Sequence, residues 1–153
     1  MPEENTNTAT ETTQETEPTT SVINEVVESV IGLMNATSPF ATVTRGALPT
    51  TEGLVCEIGP TIPQEVYLSK NALVPLDVTL NGKHPNLKTL SDTMNTIHSV
   101  LTRAKTYPDD STNGRWQIVD ISNQNLPQII GREQNNDWIA ASALTVQFFW
   151  KGD

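Results

Sequence analysis

Few residues in this chain have types that could do chemistry: one cysteine, Cys56, two histidines, His84 and His98, and the adjacent acids Asp109 and Asp110. A cysteine becomes a nucleophile when a nearby base or cation lowers its pKa. Cys56 instead stands among Leu54, Val55 and Ile58, the setting of a packed thiol. His84 adjoins Pro85, and His98 follows Ile97 at the margin of an apolar helical face, so the pair is too widely spaced for a local ligand set. His98 reads as a packed or surface histidine. Asp109-Asp110 lacks a basic or metal-binding companion in its segment and reads as a polar loop. Gly131-Arg132-Glu133 and Gly152-Asp153 lack the partners of a phosphate-binding loop. A single cysteine excludes an internal disulfide framework and a multi-thiolate zinc site. No catalytic, cofactor or metal site is expected, and Asn35-Ala36-Thr37 reads as a chance match to the glycosylation sequon.

The surrounding elements are more legible than any site. Ile23, Val26, Val27, Val30, Ile31 and Met34 recur at helical spacing, with Ser21 as expected N-cap. So many β-branched residues make this helix dependent on docking to something. Pro39, Pro49, Pro60, Pro63 and three glycines break the chain between 37 and 73, leaving short strands such as Leu54 to Ile58. Alternation at Val74, Leu76, Val78 and Leu80 predicts a half-buried strand, placed at an edge because of Pro75 and ended by an Asn81-Gly82 turn. Asn86 caps a second helix with Leu87, Leu90, Met94, Ile97 and Leu101 on one face, closed by Arg103 and Lys105. Trp116 to Ile121, Gln128 to Glu133 and Trp138 to Trp150 then read as a three-strand antiparallel meander. Leu144, Val146, Phe148 and Trp150 share one face of the last strand, while Phe149 gives the other face an apolar residue as well. The expected fold class is α+β, a small antiparallel sheet or sandwich packed with one or two helices.

Charge divides the chain. Residues 1–20 hold Glu3, Glu4, Glu11, Glu15 and Glu17 and no Lys or Arg, so more than half of the net charge of −9 lies there. That composition offers no core and predicts a disordered tail before a single domain over residues 21–153. An acidic chain does not neutralise phosphates, which argues against nucleic-acid binding. No stretch reaches the roughly 18 to 20 apolar residues of a membrane span, and the start lacks the basic and apolar runs of a signal peptide, pointing to synthesis in the cytosol.

The C-terminal third is more specific. Gly114-Arg115-Trp116-Gln117-Ile118, then Leu126-Pro127-Gln128-Ile129-Ile130-Gly131-Arg132-Glu133, then the run from Trp138 to Gly152 resemble the pattern that closes the minor capsid protein family of tailed phages and prophages. The likeness covers about residues 66–153, and the first 20 residues have no place in it. That family is similar to the tail-terminator proteins of long-tailed phages. The resemblance implies a homo-oligomeric ring of six subunits in the head–tail neck of the virion, assembled in the bacterial host. Its partners would be the tail tube protein and the head–tail connector. DNA could pass through such a ring without specific binding. Expected subunit contacts are Ile23, Val26, Val27, Val30 and Ile31 of the first helix with Phe149 and Trp150 of the last strand. A head-closure or capsid-surface protein and a small enzyme of unknown substrate stand as alternatives.

Overall fold

The computed structural model describes residues 20–61, 65–66 and 71–151; the expected disordered tail falls almost wholly outside them. The element order is α1 (Thr20–Asn35), β1 (Val43–Arg45), β2 (Gly53–Thr61), β3 (Glu65–Val66), β4 (Ala72–His84), α2 (Leu87–Thr102), β5 (Trp116–Arg132) and β6 (Trp138–Trp150). The protein is α+β, with one mixed sheet in the order β1-β2-β4-β6-β5 and β3 beside β4. Pairing is antiparallel except for β1, which runs parallel to β2. The expected α+β fold, a small sheet packed with helices, is found, and the β1–β2 pair makes the otherwise antiparallel sheet mixed.

Alternation explains which face is buried. Ala72, Val74, Leu76, Val78 and Leu80 of β4 and Leu144, Val146, Phe148 and Trp150 of β6 are all at most 5% exposed and form the floor of the core. Val26, Val27, Val30 and Met34 of α1 and Leu90, Met94, Ile97 and Leu101 of α2 cover it. A side chain such as Leu144 or Phe148 buried in this way contributes about 1.5–3 kcal/mol by removal from water. Asn86 caps α2, its Oδ1 accepting from the Thr89 amide at 3.0 Å, and Arg103 stands as C-cap. Helix α1 begins at Thr20, so Ser21 lies inside it and is not its cap.

Four further sequence readings change. Asn81-Gly82 is not a turn, since β4 runs through it to His84. A Cβ on Gly82 would stand 2.8 Å from Leu90 Cδ1, 2.9 Å from Leu54 Cδ2 and 3.0 Å from Met94 Sδ. The glycine lets α2 approach the sheet. β4 is central, not an edge; Pro75 is tolerated where its flank passes from β2, last paired at Thr61↔Leu76, to β3, first paired at Glu65↔Leu73. The strands expected at 116–121 and 128–133 are one strand, β5, interrupted by register shifts, so the meander has one member fewer. Leu87 is 40% exposed and does not belong to the buried face of α2.

Candidate functional site

Cys56 is fully buried on the helix-covered face, its Sγ 3.4 Å from Met34 Sδ. Burial pushes its thiol up to about 12, which removes thiolate chemistry at neutral pH. Asn35 is a structural clip: its amide accepts from the Val43 N–H at 2.8 Å and donates to the Val43 carbonyl at 3.3 Å, fastening the end of α1 to β1. His84 is half-buried at the end of β4, where Nδ1 accepts from the Asn86 amide at 2.9 Å and its ring meets Phe40 edge-on.

His98 makes the arrangement closest to catalytic geometry. Its Nδ1 lies 2.8 Å from Asn123 Oδ1 and its Nε2 2.7 Å from Ser142 Oγ, while Ser142 Oγ lies 3.2 Å from the Leu80 carbonyl. A serine, a histidine and an amide in that order have the outline of a nucleophilic triad. The burial decides otherwise. His98 is 2% and Ser142 5% exposed, so no acyl group can reach Oγ beneath α2. The trio ties α2 to β5 and β6. Desolvation holds the His98 pKa below the ordinary imidazole value of 6.5, against the Asn123 hydrogen bond, which raises it.

A second tie closes the other end of the sheet. Asp110 is 8% exposed and accepts from the amides of Asn113 and Arg115, each at 3.1 Å, and from Arg115 Nε at 3.1 Å. Arg115 also pairs with Glu25 of α1, and the buried Trp116 indole N–H donates to the same carboxylate at 3.0 Å. Hydrogen bonding, from Trp116 first and Arg115 second, lowers the Glu25 pKa; the Asn113 amide leads the lowering at Asp110. The Asp109-Asp110 loop therefore does have a basic companion, five residues on. Gly114 at φ +64° makes the turn that returns Arg115 to the loop. Much of the Gly114-Arg115-Trp116 motif is thus accounted for as a fastening of α1.

The expected contact residues land in two places. Val26, Val27, Val30 and Ile31 are at most 7% exposed, and Ile23 is packed against the same core. Trp150 is 3% exposed in the core floor, and Phe149 is half-buried on the opposite face. The helix face and Trp150 are spent within the chain, and the docking that the β-branched residues of α1 demand is supplied by its own sheet.

Exposed apolar area gathers instead on β5. Val119, Leu126, Ile129 and Ile130 are 46%, 59%, 40% and 64% exposed. β5 is the end of the sheet, and residues 107–110 cover its first part, through Ile118 N–H to Pro108 O, Asp110 N–H to Trp116 O, the Asp109–Gln117 bridge and a backbone hydrogen bond from Ile121 to the Tyr107 hydroxyl. Among the described residues no strand lies outside it from Val119 onward. Leu126 and Ile130 also border a groove of about 410 Å³ on the sheet face away from the helices, lined further by Ala141, Ala143 and Thr79 with Glu57 beyond. Sequence periodicity missed this surface because it falls where alternation breaks. The visible signal was Leu126-Pro127 and the doubled isoleucine, apolar residues out of phase with their neighbours.

Neither a family model nor a curated protein matches the chain.

Proposed function

We propose that this chain is a structural virion subunit, a tail terminator that forms a ring on the tail tube and joins it to the head connector. The observation that carries the reading is the β5 end of the sheet: a long strand that no other described strand flanks along most of its length, with four exposed apolar side chains, on a domain whose other large apolar face is covered by its own helices. A ring subunit needs such a surface, and isolated soluble domains usually blunt their strand edges with charge. The resemblance read from the sequence over residues 66–153 supports a phage tail as the assembly. A terminator offers the growing tube one complementary face and no further copy of it, so stacking stops there. The acidic character of the chain suits a passage through which DNA slides without sticking.

Deletion of the gene from its phage tests this. Tails of overlong or variable length that fail to join filled heads are the expected result. Normal tails on properly joined heads would remove the terminator reading and favour a head-closure or capsid-surface protein.

A further inference from the structure

The register of β5 against β6 shows how its exposed residues arise. Partners run from Trp116↔Trp150 to Arg132↔Trp138, with shifts between Ile118 and Asp120, Asn123 and Asn125, Asn125 and Gln128, and Ile129 and Gly131. Val119, Gln124, Leu126, Pro127 and Ile130 are the residues left without a partner across β6. Three of the four exposed apolar residues on the strand therefore sit at bulges. A bulge leaves its extra residue out of the ladder and turns a strand edge away from regular pairing. On an edge that serves only to prevent association, those positions carry charge or lysine. Here they carry valine, leucine and isoleucine.

Charge points the same way. From Ile121 to Gly131 the chain has no charged residue, within a molecule of net charge −9. Two copies of so acidic a molecule repel each other, least where neither presents carboxylates. The outer edge of β5 from Ile121 to Ile130 is such a surface, with the exposed Asp120 at its start. The far end of the sheet differs from it: β1 pairs with β2 only at residues 54–56, and β2 continues to Thr61. The sheet thus has two unlike ends, as a head-to-tail contact requires.

We infer that the β5 edge from Val119 to Ile130 is the docking surface for a second copy of this chain, with the bulged Leu126 and Ile130 as its apolar anchors. The bulges prevent open-ended extension of the sheet by backbone pairing, and the anchors replace it with a side-chain contact of defined geometry. This rests on the ring reading and assigns the contact within it.

The test is the mass of the full chain in solution, by sedimentation or light scattering, for the parent and for Leu126→Glu and Ile130→Glu. Both positions are more than half exposed, so the variants should melt like the parent. An assembled parent and variants at the 16.7 kDa monomer mass support the assignment, as does retention of assembly by Leu126→Met and by a control charge at the exposed Asn95. Variants assembled as fully as the parent overturn this surface and leave the ring reading standing. A parent that stays monomeric at all concentrations overturns it too, together with self-assembly. If those glutamate variants then fail to enter phage particles, the surface belongs to a different virion protein.

Discussion

The helix-covered face of the sheet and its β5 end follow different rules. Under the helices, every second residue is apolar and almost fully buried, Gly82 is kept small so that α2 can close, and the polar groups that enter, His98 and Ser142, are bonded to each other and to neighbours. At the β5 end, alternation is broken four times and apolar residues stand out in solvent. The first region spends hydrophobic area on the fold. The second holds it in reserve, and reserved area at a strand edge is available for association.

Substitutions in the covered region should show the largest effects. Leu144→Ala removes a fully buried side chain from the centre of the floor and should cost about 2–5 kcal/mol in denaturant unfolding. Gly82→Ala should cost about 1–3 kcal/mol by overpacking, because three core side chains must yield to one methyl group. Stability like the parent's in both variants would mean that α2 does not seal the sheet as described. By contrast, Ile130→Glu should change stability by no more than about 0.5 kcal/mol, the range for surface positions.

The His98 tie makes the covered region sensitive to pH. Its folded pKa is lowered, so the unfolded chain binds the proton more readily than the folded one. Its stabilising contribution is complete above the unfolded value near 6.5 and declines as pH falls from there toward the folded value. Glu25 and Asp110 act lower down: their depressed folded pKa values give stability present above the ordinary carboxylate range and lost as pH falls through the folded values. Urea midpoints measured from pH 7.5 to 5 should therefore fall for the parent and less for His98→Gln. Equal slopes would place the proton uptake elsewhere.

What was legible in the sequence follows the same division. Regular periodicity and one capping residue sufficed for α2 and its Asn86, and strict alternation sufficed for the buried side of β6. β5 was split in two because a bulge shifts the alternation, and the gap between the two readings is where Gln124, Leu126 and Pro127 leave the ladder. Asn81-Gly82 reads as a turn because Asn-Gly is a local signal, while the role of Gly82 is a long-range approach of Leu90, Leu54 and Met94. The helix α1 was recognised, but not its partner: periodicity gives the apolar stripe and is silent on whether the chain's own sheet or a neighbour covers it. The Glu25–Arg115–Trp116 tie, spanning some ninety residues, had no local signature at all.

Amide hydrogen exchange of the full chain at increasing protein concentration tests the division most directly. Protection in β4 and under α2 should be high and independent of concentration, while the amides between Val119 and Ile130 that do not bond to β6 should be exposed when dilute and become protected as copies meet. Protection that rises with concentration elsewhere, with residues 119–130 unchanged, would contradict the account.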